Sequence, residues 1–156
     1  MPNWVHLVTN LVYHLGLALW IGGAVVLGAL VAPTLFRALP RLQAGSIFGP
    51  TLRRFARLRL GALLATIAAA GVKHALWEGS STVWITLRWA ALLFMAATVL
   101  YEIGSLERAL EARRVHLTPE MVEEDPQRKA FNALHKRAEG LMKASLVAAL
   151  VAMLLS

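Results

Sequence analysis

The sequence predicts an all-α fold: an integral-membrane bundle of four helices running up and down, with both termini on the outer side. Three observations carry this expectation. Hydrophobic residues make up 58% of the 156-residue chain, above the ~45–50% usual for soluble domains, and they gather in runs over 11–36, 60–76, 83–100 and 141–155. A helix of about 20 apolar residues crosses the ~30 Å hydrocarbon layer. The first run is long enough alone, and the other three become so with their flanks. The second observation is the placement of the +7 net charge. Arg37, Arg41, Arg53, Arg54, Arg57 and Arg59 lie between the first two runs, and Arg108, Arg113, Arg114, Arg128, Lys129, Lys136 and Arg137 between the last two. Basic connections stay cytoplasmic. The third is that Trp4, Trp77, Trp84 and Trp89 all fall at the opposite ends, where amphipathic rings favour the interface.

A single domain over 1–156 follows, with spans expected over 4–36, 56–77, 83–106 and 132–155. No Lys or Arg precedes the first apolar run, so it does not read as a signal peptide and the first helix is expected to be retained. That helix exceeds the membrane thickness, and Pro33 is its expected bend. Residues 40–45 read as a turn, and 46–55, where arginines alternate with Phe48, Leu52 and Phe55, as a short interfacial helix. Glu78-Gly79-Ser80-Ser81 reads as a tight outer turn. The stretch 107–114 is expected to prolong the third helix with both charge signs on a solvated surface, and 116–127, holding Pro119 and Pro126, to be a mobile loop. Small residues recur at four-residue spacing as Ala24, Gly28 and Ala32, as Gly61, Ala65 and Ala69, and as Ala144, Ala148 and Ala152. Such stripes let helices approach closely in lipid.

Composition also excludes chemistries. With no cysteine there are no disulfides, thiolate metal sites or thiol nucleophiles. Phosphate loops, nucleophile elbows and metalloprotease motifs are missing. Arginine clusters facing anionic inner-leaflet lipid account for the high pI without nucleic acid.

Polar groups within the apolar runs are the candidates for function, because a charge near the bilayer centre costs at least ~2.5 kcal/mol and is usually paired or functional. Lys143 lies about 18 Å from the outer end at ~1.5 Å per residue, with Glu139 one turn further in. Glu102, His135 and Arg59 are expected at similar depth. Glu102, His135, Glu139 and Lys143, with Arg59 beside them, form the expected internal polar site of a small-ligand or ion-binding, transport-related module. An alternative uses His14 and His74 as haem or copper ligands, with Arg88 and Lys73 holding haem propionates. His6, Asn10 and His14 share one stripe of the first helix. A third reading is a structural or assembly partner whose ions are simple pairs. An enzyme is the less expected outcome. Expected partners are the bilayer, anionic lipid at the arginine-rich face and, since one such bundle encloses little space, a second copy. The setting implied is a bacterial inner membrane.

Residues 17–61, with Trp20-Ile21-Gly22-Gly23, Ala32-Pro33, Phe36, Ala44-Gly45 and Phe48, and residues 131–150, opened by Phe131 and His135, resemble the transmembrane protein 205-like family, or domain of unknown function 4149. This resemblance implies a four-helix membrane bundle without an established activity. A histidine followed by a Trp-x-Gly-Gly segment is more distantly similar to the copper-resistance D family and the J-type membrane protoporphyrinogen oxidases, which imply copper transport or haem binding. Ala32-Pro33-Thr34 and the arginine-rich first connection fit the former family better.

Overall fold

The computed structural model describes residues 3–80, 82–115 and 125–156, and no strand occurs among them. The chain runs through α1 (Asn3–Ala38), α2 (Arg41–Glu78), α3 (Val83–Arg114) and α4 (Pro126–Leu154). Of these α1, α2 and α3 are long and apolar enough to cross a membrane, whereas α4 carries Glu139 and Lys143 in its apolar half. Successive helices pack side by side, and α4 closes the ring against α1.

Local chemistry sets the ends. Leu39 is extended (φ −129°, ψ 152°), as a residue before proline prefers, so α1 stops at Ala38. Pro40 then stands at the N-cap of α2, which starts at Arg41. The turn expected over 40–45 is therefore confined to Leu39 and Pro40, because Ala44 is fully buried and anchors the first turn of α2 in the bundle. Nor is there a separate helix over 46–55. The α-helix continues through Pro50, which follows Gly49, a residue with no Cβ to crowd the proline ring. Gly79, at φ +50°, turns the chain between α2 and α3 in the left-handed region that only glycine enters freely. Thr82 and Asp125 cap α3 and α4, accepting from the amides of Ile85 (3.4 Å) and Gln127 (2.7 Å). Pro126 and Gln127 already belong to α4, and the rest of the expected loop, 116–124, lies outside the described residues.

Three turns are π-helical: Val26–Val31, His74–Glu78 and Glu102–Leu106. The first precedes Pro33, whose ring would otherwise crowd the preceding turn, so the expected bend is a widened turn. The other two each hold a glutamate that reaches into the bundle, as described below.

The core is Tyr13, Leu17 and Trp20 from α1, Leu63 and Ala70 from α2, Leu92, Met95 and Val99 from α3, and Ala149 and Ala152 from α4. The Tyr13 hydroxyl donates to the Ala152 carbonyl at 2.7 Å, tying α1 to α4. Outside this core the surface is greasy, with Leu11, Leu30, Leu64, Leu93 and Leu154 all well exposed. A contiguous apolar exterior of this kind marks a membrane-facing surface.

Close approach uses the expected stripes only in part: Ala24, Ala69 and Ala152 are buried, but others are not at contacts. A Cβ added at Gly28 or Gly61 would meet nothing, and Ala65 and Ala144 are exposed. The tight positions are Gly16 and Gly23. A Cβ on Gly16 would collide with Thr66 and come within 2.8 Å of the Ala62 carbonyl oxygen, and one on Gly23 would enter the Phe55 ring. The Ala62 oxygen is backbone and cannot rotate away, so any side chain at Gly16 must push α2 off α1. Gly16→Leu should thus destabilise the bundle by about 1–3 kcal/mol, as overpacked cores do. Gly28→Ala should be neutral or slightly stabilising, because alanine is the better helix former. Unfolding midpoints in a mixed-micelle denaturant series would test both, and equal midpoints would show the α1–α2 contact to be looser than described.

Candidate functional site

Burying a charge in an apolar bundle is tolerated only with a partner, and the described residues place their buried charges in two clusters. At the tryptophan-bearing end, Arg88 of α3 is 2% exposed. Its two terminal nitrogens donate to the two carboxylate oxygens of Glu78 at 2.6 and 2.5 Å, a bidentate fork. The π turn His74–Glu78 lies at the end of α2, where Glu78 meets this guanidinium. Lys73 stands over the Tyr13 ring at 5.0 Å. His74 Nδ1 approaches the same carboxylate to 3.4 Å but without hydrogen-bond alignment. His6 packs edge-on against Trp77, with centroids 5.0 Å apart.

At the arginine-rich end, Arg59 of α2 is 1% exposed and donates to Glu102 of α3. Its guanidinium also lies over Trp20 at 4.9 Å and over Phe55 at 5.0 Å, so one cation is held by a carboxylate and two aromatic faces. The facing helices continue the pattern outward. Arg53 pairs with Glu111 at 2.9 Å, and the partly buried Glu107 lies between, in the field of Arg57, Arg53 and Arg59. Glu102, Glu107 and Glu111 thus form an acidic ladder on α3 against a basic ladder on α2. Between the two clusters the bundle is filled by Leu17, Leu63, Leu92 and Met95, each at most 2% exposed.

The expected polar site is therefore divided. Arg59 and Glu102 come together inside. Glu139 and Lys143 pair with each other at 2.6 Å on the outside of α4, their side chains 49% and 71% exposed. His135 is exposed as well and stacks on Phe131 at 6.3 Å. The inward face of α4 is Ser145, Ala149 and Ala152. Lys143 lies two residues, or about 200° at 3.6 residues per turn, from Ser145. Position along the helix does not fix rotation about its axis.

The alternative set is likewise split. Lys73, His74 and Arg88 share the tryptophan-end cluster around Glu78. His14 instead bonds the Asn10 carbonyl at 2.8 Å and the Ser156 hydroxyl at 3.0 Å. Among the described residues no three His, Asp or Glu side chains come together as a metal site, and both terminal nitrogens of Arg88 are taken by Glu78. Sequence reasoning missed Glu78, Trp20, Phe55, Glu107 and Glu111 as members of these clusters. At 3.6 residues per turn, offsets of five and nine from Glu102 would turn Glu107 and Glu111 about 140° and 180° away. The widened turn Glu102–Leu106 changes this phase, so their spacing alone carried no signal.

A groove of about 430 Å³ opens between α1 and α2 near the arginine-rich end, lined by Leu19, Gly23, Val26, Leu27, Phe55 and Leu58, with Thr51 and Arg54 completing it. Phe55 is shared, one face toward Arg59 and its edge toward Gly23 and the groove. The groove offers an apolar slot beside an exposed guanidinium.

A family model described as a domain of unknown function, DUF4149, matches residues 15–116. No curated protein and no solved structure matches the chain. The matched stretch contains Gly16, Trp20, Gly23, Arg59, Glu78, Arg88 and Glu102, and so the ion pairs of both clusters and the groove, while His6, Tyr13 and α4 lie outside it. With well over half of its residues inside that match, the chain belongs to the DUF4149 family.

Proposed function

We propose that this is a four-crossing membrane protein, both termini outside and the arginine-rich ends cytoplasmic, that binds an anionic phospholipid of the inner leaflet at its α1–α2 groove. The observation that carries the reading is the groove itself. Its volume falls within the ~300–1,000 Å³ typical of small-ligand sites, its wall is almost wholly apolar, and Arg54, exposed and without a carboxylate partner among the described residues, stands beside it. An acyl chain fits the wall and a phosphate fits the guanidinium, which engages phosphate oxygens through a two-pronged fork. The neighbouring Arg53 is drawn off by Glu111 and Arg59 by Glu102, leaving Arg54 to face the headgroup layer. The packed apolar level between the two charged clusters favours a binding module over a conduit, and the bacterial inner membrane, whose inner leaflet is anionic, is the setting that suits it.

Native mass spectrometry of the full chain in mixed anionic and zwitterionic nanodiscs tests this. Retained anionic lipid should exceed its bulk fraction severalfold, and Arg54→Gln should lower that excess while Arg41→Gln should not. An unenriched lipid complement in the parent protein would refute it.

A further inference from the structure

The surface of α4 presents a problem that neither cluster solves. Ser145, Ala149 and Ala152 face the core, and on the other side Glu139 and Lys143 point outward. In the four-crossing arrangement proposed above, on which this inference rests, Lys143 lies about 18 Å from the outer end at ~1.5 Å per residue. An ion pair at that depth stands in hydrocarbon, against lipid. The pair is also incompletely satisfied. An ammonium has three donors and a carboxylate several acceptor positions, and a single 2.6 Å contact joins Nζ of Lys143 to Oε1 of Glu139. Acyl chains supply neither donors nor acceptors.

We propose that this face of α4 is the contact between two copies of the chain, with Glu139 of each copy paired to Lys143 of the other. The charges themselves argue for a second copy over a different partner. The pair is one acid and one base a helical turn apart, with His135 and Lys136 exposed on its N-terminal side, so each member finds its opposite in a second copy related by a two-fold axis. Two copies inserted the same way are related by an axis along the membrane normal, which keeps like residues at like depth. Glu139 then faces Lys143 across about one turn, and the two in-helix pairs become a closed set of four alternating charges. Gly140 and Ala144 follow them one residue on and lie along one side of the pair, both exposed. A Cβ on Gly140 would meet nothing within the chain, so the packing of one copy does not require a glycine there. Small residues at this spacing would let the two α4 helices approach closely enough for the exchange.

The chain has no cysteine, so Ala144→Cys places its only thiol on the proposed contact. In native vesicles, oxidation should cross-link this variant to a dimer severalfold more than Leu93→Cys, an exposed position on α3. Adding Lys143→Gln should lower the cross-link severalfold, and exchanging the charges as Glu139→Lys with Lys143→Glu should restore it. A reporter after Ser156, read for sidedness in the same vesicles, separates this idea from its foundation. Reporter outside with no dimer band overturns the dimer and leaves the four crossings standing. Reporter inside overturns both. A band to some other protein, or cross-linking indifferent to Lys143→Gln, overturns the pairing of two copies.

Discussion

Replacing Glu102 by leucine is expected to remove about 3–5 kcal/mol of stability, the usual consequence of deleting one member of a buried ion pair. Arg59 would be left with its guanidinium enclosed by Trp20 and Phe55 and no carboxylate bonded to it, Glu107 acting only at a distance. The loss comes from the stranded cation, so removing that cation should reverse most of it. The double variant Arg59→Leu with Glu102→Leu should recover to near the parent, because well-packed apolar replacements of buried pairs are often neutral or better. Part of the deficit will persist, since the cation–π contacts, about 0.5–2 kcal/mol, go with the arginine. Unfolding in mixed micelles, followed by helical circular dichroism, gives the four free energies of a double-mutant cycle. If the double variant were no more stable than Glu102→Leu alone, the pair would not be the source of the loss.

Glu78→Gln is expected to be at least as damaging, again about 3–5 kcal/mol, because a single carboxylate there faces both Arg88 and Lys73. Arg88 uses both terminal nitrogens on it, His74 approaches it, and Lys73 lies in the same cluster. Neutralising Glu78 leaves Arg88 and Lys73 to repel one another with nothing between. The reciprocal change, Arg88→Gln, should cost less, since the carboxylate keeps Lys73 and His74 as neighbours. The same micelle titration measures both. Equal losses for the two variants would mean that Lys73 and His74 add nothing to the cluster.

How much of this was legible depended on whether the physics is one-dimensional. Membrane-spanning character follows from composition along the chain, so α1, α2 and α3 were readable as runs, and the end of α1 at Leu39-Pro40 follows from proline sterics. The pairing of Arg59 with Glu102 was within reach because both charges are forced to one depth. What depends on rotation about a helix axis was not readable. Lys143 and Glu139 have the wrong azimuth for an inward site. On α1, α2 and α3 the π turns made azimuth harder still to read, because each inserts an extra residue into a turn and shifts the phase of the rest of its helix. Small residues misled for a related reason. Gly28 and Gly61 sit at attractive spacing and touch nothing, whereas Gly16 and Gly23, seven residues apart, meet Thr66 and Phe55. A helix over 46–55 was expected, but its continuity with the rest of α2 was hidden by Gly45, Gly49 and Pro50, three residues that usually mark breaks but are outweighed here by the burial of Ala44, Phe48 and Phe55.

Only Leu39 and Pro40 separate α1 from α2, and these two neighbours share the most extensive contact in the molecule. Loop-closure entropy rises with loop length, so the pair meets with almost the smallest penalty a helical hairpin can have. Assembly can accordingly start from the first half of the polypeptide while the second is still being synthesised. The later helices then dock onto a ready-made template, and errors early in the chain should harm biogenesis more than errors late in it.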